Sequence, residues 1–199
     1  NNIKVIPTTL DTNYYKKNTS KIKYKKITIV WIGTPSTSIY LNIVKKTLKK
    51  ITEKYEVNIN LIGIGENKFE NLDYKNIEWS ENTEIQELSS SHIGIMPLEN
   101  DHWSLGKCGF KILQYMASGV PVIASPVGVN RLIISDEYNG FLANNEKEWF
   151  IKLSKLIEDE NLRNKFSERG LISVKNSFEV NNFKKLFLND FLNLKKNNN

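Results

Sequence analysis

Apolar positions along the chain alternate between two patterns. Short, nearly continuous apolar runs at Thr28–Gly33 (TIVWIG), Asn58–Gly63 (NINLIG), Ile77–Trp79, His92–Leu98 (HIGIMPL) and Val120–Ala124 predict buried strands. Between them apolar residues recur at helical spacing: Ile39, Ile43 and Leu48 toward Tyr55, then Glu84–Ser91, then Phe110, Leu113 and Ala117. Further on, Asn130–Ser135 predicts a short helix, and Asn139–Leu142 a turn into a last strand. Trp149–Glu158 and Leu162–Val174 predict amphipathic helices, and Ser177–Leu194 carries Phe183, Leu186, Phe187 and Phe191 at helical spacing. Strand and helix taking turns demand an α/β fold: a parallel sheet of about six strands with helices on both faces, plus C-terminal helices.

The densest signal is Trp103–Gly128, WSLGKCGFKILQYMASGVPVIASPVG. Gly106 and Gly109 bracket a short loop around Lys107 and Cys108, Phe110 opens a helix, Gly119 stops it and Pro121 forbids its continuation. A glycine loop at a helix mouth offers unpaired N–H groups and the positive end of the dipole, which suits a phosphate. An ordinary helix–strand unit with a Gly-rich turn accounts for the same residues equally well. Lys107, Lys111 and Gln114, spaced four and three apart, are expected on one helix face. Two cations neutralise a diphosphate and an amide bonds a ribose hydroxyl; the alternative is a solvated lysine pair.

Upstream, Gly33 and Thr34 end the first strand, where ligands of open α/β sheets bind. Thr34-Pro35-Ser36-Thr37 then makes a hydroxyl-rich helix entrance, either an anion site or simple N-capping by Ser36 or Thr37. This turn and the Gly106–Gln114 segment are expected at one binding edge. His102 and Trp103 are candidates to line a sugar pocket. Trp79 and Ser80 are weak candidates for a base contact, a core tryptophan being the simpler reading. Gly63-Ile64-Gly65 lacks the third glycine of a dinucleotide fingerprint.

The run GKCGFKILQYMASGVPVIASPVGVN, followed by NGFLA, closely resembles the donor-binding half of family 4 (group 1) glycosyltransferases, retaining enzymes of the GT-B fold that use nucleotide-activated sugars. The resemblance covers nearly the whole chain. It implies an inter-domain linker remnant at 1–26, a Rossmann-like nucleotide-sugar-binding domain at 27–176, and a C-terminal helix with a disordered tail at 177–199. It also implies a nucleotide-diphosphate sugar as substrate, no cofactor, and a missing N-terminal acceptor-binding domain as partner. Taken with the loop reading, the expected substrate-binding set is Gly33, Thr34, Thr37, Trp103, Gly106, Lys107, Cys108, Gly109, Phe110, Lys111 and Gln114, with no catalytic residue assigned. The family carries two glutamates with seven residues between them; aligned through Gly109 and Met116–Ala117, they fall on Gly106 and Gln114. The family's Arg and Lys near the first helix are absent here, which makes Lys107 and Lys111 candidate substitutes.

Composition narrows the partners. The chain has 199 residues, 40% hydrophobic, enough for a core at this size. Lysine and arginine outnumber acids 28 to 22 for a net charge of +6. The basic residues are nearly all lysine, with arginine only at 131, 163 and 169, which argues against a nucleic-acid partner. An anionic donor or a membrane carrying a lipid-phosphate acceptor suits the charge better. Lys16–Lys26 and the lysines at 45, 46, 49 and 50 read as solvated, with a peripheral membrane contact as the functional alternative. One cysteine excludes an internal disulfide and fits a reducing cytoplasm, at the inner face of the membrane where a lipid acceptor is used. Two distant histidines and one cysteine lack metal-ligand spacing. No run reaches the ~18 apolar residues of a spanning helix, and an abrupt polar start without Met reads as a fragment. The expected function is donor binding by a retaining glycosyltransferase of surface glycan or polysaccharide synthesis. The alternatives are a nucleotide-sugar 2-epimerase on the same scaffold and a non-catalytic nucleotide-binding or interaction module.

Overall fold

The computed structural model describes residues 6–19, 22–184 and 187–188. Six strands form one wholly parallel sheet: β1 (Thr28–Ile32), β2 (Asn58–Ile62), β3 (Lys75–Ile77), β4 (Ile93–Met96), β5 (Val122–Ala124) and β6 (Phe141–Leu142). Their order is β3-β2-β1-β4-β5-β6, the Rossmann-like arrangement expected from the alternating pattern. Every residue of β1 and β4 is buried, because helices shield both faces; hence the continuous apolar runs in the sequence.

One face is covered by α2 (Asn42–Lys54) and α7 (Glu146–Glu158), which bury Val44, Leu48, Ile51, Trp149 and Leu153 against Ile29, Trp31 and Ile95. The other carries α3 (Glu81–Ser90), α5 (Phe110–Ala117) and the short α6 (Asn130–Ile133). α8 (Glu160–Ser177) reaches both clusters, burying Phe166 in one and Val174 in the other.

The sheet's order reverses between β1 and β4, and there the two strands separate. They pair only at Ile29 with Ile93 and Val30 with Gly94. Beyond that point the hydroxyl of Tyr115, from α5, fills the gap. It accepts from the Ile32 N–H at 3.0 Å and donates to the Ile95 carbonyl at 3.1 Å. The ring fits because Gly94 has no side chain: a Cβ there would meet it at 2.6 Å. Burial pushes the hydroxyl's pKa well above the ordinary tyrosine value, so it stays protonated and can serve both strands.

Several expectations need correction. The third strand occupies Lys75–Ile77, two residues earlier than Ile77–Trp79, which leaves Trp79 in the following loop and 50% exposed. The helix entrance after β1 is a 3-10 helix, Pro35–Leu41, with Thr34 at the N-cap instead of Ser36 or Thr37; Pro35 at its first position fixes the turn. The segment 1–26, expected as a linker, is in part integral to the fold. Asp11 caps α1 (Thr12–Asn18) by accepting from the Asn13 and Tyr14 N–H groups, and Tyr15 is buried in the core. Leu10 pairs with Glu179 in a parallel bridge: its N–H donates to the Phe178 carbonyl at 3.0 Å, and Val180 N–H donates to its carbonyl at 2.9 Å. Two apolar anchors inside a lysine-rich stretch outweigh its polar composition. In the expected C-terminal helix, Ser177 instead ends α8. Leu186, Phe191 and the tail 195–199 lie outside the described residues. Among the described residues no helix is long and apolar enough to cross a membrane.

Candidate functional site

The carboxyl ends of β1 and β4 open into a cleft of about 580 Å³. Two sequence-distant segments meet there, the Gly33–Thr34 turn after β1 and the Gly106–Gln114 segment. Gly33, Thr34, Gly106, Lys107, Cys108, Gly109, Phe110, Lys111 and Gln114 all line it. Thr37 joins through a long hydrogen bond from Lys111 Nζ to its Oγ1, 3.4 Å.

Gly109 is the N-cap of α5 and sits in the left-handed region at φ 72°. A Cβ there would also lie 2.4 Å from Ile133 Cδ1, so glycine is strongly favoured where the chain turns into this helix. The helix therefore begins at Phe110, and Lys107 is not on its face with Lys111 and Gln114 as the spacing suggests. Lys107 stays in the loop, its N–H bonded to the Ser104 carbonyl. Its ammonium still converges on the cleft, 5.3 Å from the Tyr40 ring and 5.7 Å from that of Trp103.

Lys111 is half-buried, its ammonium 5.0 Å from the Trp31 ring centroid. Among the described residues neither Lys111 nor Lys107 has a carboxylate within ion-pair range. Burial first, and the charge of Lys107 second, pull the Lys111 pKa down to about 8. A desolvated cation beside a second cation is stabilised by an anion in the cleft. The Phe110 and Lys111 N–H groups at the start of α5 add donors of the same polarity, whereas that of Ile112 is bonded to the Gly109 carbonyl at 2.9 Å.

The turn after β1 contributes less than its hydroxyls suggest. Thr37 Oγ1 accepts from the Thr34 N–H at 3.0 Å and donates back to the Thr34 carbonyl at 3.1 Å. That N–H is therefore spent inside the turn.

Gln114, expected as a ribose contact, has its amide engaged within the protein. Its side chain is only 6% exposed, and its amide donates to Glu84 Oε1 at 2.5 Å. The second carboxylate oxygen of Glu84 accepts from Trp79 Nε1 at 2.5 Å. Glu84, Trp79 and Gln114 all line the cleft, so Glu84 adds a carboxylate acceptor there that Gln114 and Trp79 hold in place. Spacing offered no signal for Glu84, because the packing of α3 beside α5 is set by the sheet and not by either helix. Trp103 and His102 are corrected too: neither lines the cleft. Both lie on the four-residue α4 (His102–Leu105), where Asp101 caps the Ser104 N–H at 2.6 Å. Ser104 turns inward to the Tyr40 hydroxyl and leaves Trp103 77% exposed. Among the described residues no group of three His, Cys, Asp or Glu could hold a metal.

A pH dependence follows from Lys111. Its pKa of about 8 in the fold lies below the ordinary lysine value of 10.5. The unfolded chain binds more protons between those values, so this residue favours the fold increasingly as pH rises through that window. An anion in the cleft needs the charged form. Affinity for a phosphate-bearing ligand is therefore expected to fall above pH ~8, and Lys111→Arg, which holds its charge, should flatten that fall. Titration calorimetry at pH 7 and pH 9.5 checks both.

Curated proteins gave no match. Among solved structures, HepE from Anabaena in complex with UDP-glucose is 18% identical with a TM-score of 0.76, the match covering 96% of this chain and 57% of HepE. The C-terminal domain of LpcC, a glycosyl transferase group 1 family protein from Francisella tularensis, is 20% identical with a TM-score of 0.61, over 87% of this chain and 95% of its own. A TarM mutant from S. aureus, solved with fondaparinux, α-GlcNAc-glycerol and UDP, is 15% identical with a TM-score of 0.66. That match covers 86% of this chain and 36% of TarM, so the chain spans only part of such full-length proteins. At these identities the likeness shows the fold. The family model described as glycosyl transferases group 1 matches residues 26–159, well over half of the sequence. The chain belongs to the group 1 glycosyl transferases.

Proposed function

We propose that this chain is the donor-binding half of a retaining glycosyltransferase of surface-glycan or polysaccharide synthesis. Residues 27–176, joined by α1, form its nucleotide-sugar domain, and an acceptor-binding domain elsewhere in the protein is its partner. One observation carries the reading: Lys111, a desolvated cation without a carboxylate partner among the described residues, stands at the mouth of a glycine-led helix in the cleft at the switch point. The diphosphate takes the Lys111 ammonium and the Phe110 and Lys111 N–H groups of α5. The ribose hydroxyls take Glu84, whose rotamer Gln114 and Trp79 fix. HepE holding UDP-glucose supports a nucleotide-sugar ligand. An epimerase on this scaffold wants acid and base carboxylates, and the cleft lining has one, Glu84, already tied to two donors. The proposed setting is the cytoplasmic face of a membrane, which a net charge of +6 suits.

A thermal-shift panel of UDP, GDP, ADP and their sugars tests the reading. A ligand at ~100 times its dissociation constant stabilises the fold by about 2.7 kcal/mol. The matching nucleotide should then raise the midpoint by roughly 5–10 °C in a domain of this length. A flat response to all of them at millimolar concentration overturns nucleotide binding. With labelled donor and acceptor, residues 1–199 alone are expected to bind without transfer, because in this reading the second substrate is oriented by the acceptor-binding domain. Robust transfer by this chain would overturn the two-domain reading, and an epimerised sugar would favour the alternative enzyme.

A further inference from the structure

A second polar recess lies at the opposite pole of the sheet, where the strands begin. It has a volume of about 330 Å³, and Lys23, His92 and Arg163 line it together with Asn164, Ser167 and one carboxylate, Glu160. His92 immediately precedes β4, whereas Met96 at the other end of that strand lines the donor cleft. The two sites are a strand length apart.

His92 sets the character of this recess. Its Nδ1 accepts a hydrogen bond from the Thr28 N–H at 3.1 Å, which puts the proton of the neutral ring on Nε2 as a donor. Burial, then the charges of Lys23 and Arg163, hold its pKa down to about 4, so the ring is neutral at physiological pH. Lys23 is exposed along its stem, and its ammonium spends one donor on the Ser91 carbonyl at 2.7 Å. Arg163 Nη1 donates to the Leu156 and Ile157 carbonyls at 2.7 and 3.0 Å, leaving its other nitrogens without a protein acceptor among the described residues. Glu160 and Asp159 offset part of the arginine charge. Yet neither Lys23 nor Arg163 is within ion-pair range of a carboxylate among the described residues. Burial first, and the charge of Arg163 second, bring the Lys23 pKa down to about 8. The fold thus holds two cations and an imidazole N–H around one recess, with backbone carbonyls as the hydrogen-bond acceptors of the cations and Glu160 as the one carboxylate in the lining. Donors in excess of acceptors, with positive charge left over, are complementary to an oxyanion.

We propose that this recess is a second anion site, separate from the donor cleft, that binds a phosphate group through Lys23, Arg163 and His92 Nε2–H. The phosphate is either free in solution or carried on a lipid headgroup. The reading does not depend on the donor cleft, and its test separates the two. The chain has two histidines, His92 in this recess and His102 on α4 near the cleft, which give independent imidazole signals. Inorganic phosphate titrated into the chain at neutral pH should shift the His92 signal saturably, with the same midpoint in Lys111→Ala. Lys23→Gln and Arg163→Gln should each raise that midpoint roughly tenfold, the worth of one charge-assisted bond. Arg163 also holds the last carbonyls of α7. Lys23→Gln, which breaks a single bond at an exposed stem, therefore carries the test should the arginine variant unfold. A His92 signal that ignores phosphate, or responds alike in wild type and Lys23→Gln, overturns the proposal. Sedimentation with phosphatidylglycerol vesicles distinguishes the sources: wild type pelleting and Lys23→Gln remaining in solution assign the phosphate to a headgroup. Wild type remaining in solution while His92 still titrates assigns it to free phosphate.

Discussion

Replacing Lys111 by alanine is expected to weaken binding of a nucleoside diphosphate by roughly 10- to 150-fold, the equivalent of a charge-assisted bond worth ~1.5–3 kcal/mol. Binding of the nucleoside alone should be nearly unchanged. The unliganded domain should not suffer, because among the described residues Lys111 leaves no carboxylate behind; its neighbours are the Trp31 ring and the Thr37 hydroxyl. Glu84→Gln is the contrasting variant: it should weaken nucleoside and diphosphate alike, since its proposed partner is the ribose. Added salt should erode the lysine contribution and largely spare that of Glu84. Calorimetry on the wild type and both variants at pH 7 and two ionic strengths measures all of this. If Lys111→Ala binds the diphosphate normally, Lys111 is only a shielded helix residue, and the anion rests on the α5 amides alone.

The second large effect concerns stability. Tyr115→Phe keeps the ring and removes only the hydroxyl that joins the Ile32 N–H to the Ile95 carbonyl. Both backbone groups are deeply buried, and an unsatisfied buried group costs about 1–3 kcal/mol, so a loss of about 2–4 kcal/mol is expected. That corresponds to a fall in melting midpoint of roughly 5–15 °C at this chain length. Hydrogen exchange at the Ile32 amide should accelerate beyond its neighbours in β1. A midpoint within about a degree of wild type would mean that β1 and β4 close the gap themselves, a tolerance that 2–4 °C per kcal/mol makes discriminating.

The fold was legible because both faces of the sheet are covered: strands buried on two sides need uninterrupted apolar runs, and TIVWIG and HIGIMPL are such runs. The glycine loop was legible because backbone geometry demands Gly109 whatever surrounds it. What local spacing could not reveal was which helix meets which. Gln114 reads as a ribose contact until α3 brings Glu84 against it, and Lys107 reads as a helix residue until the left-handed Gly109 starts the helix at Phe110. Trp79 looks like core material by residue type. Its short strand ends before it and delivers it to the cleft instead. The segment before β1 was misjudged for the opposite reason, since two anchors, Leu10 and Tyr15, decide its fate against many lysines.

The bridge between Leu10 and Glu179 has a mechanical consequence. The chain's way into this domain and its way out are clasped together, by two backbone bonds and by the Thr12 N–H donating to Glu179 Oε2 at 3.0 Å. A body tethered by one strand swings about every axis. A body joined through two strands that are bonded to each other turns mainly about the line they share. Whatever the protein carries before Leu10 therefore leaves this domain beside whatever follows Val180.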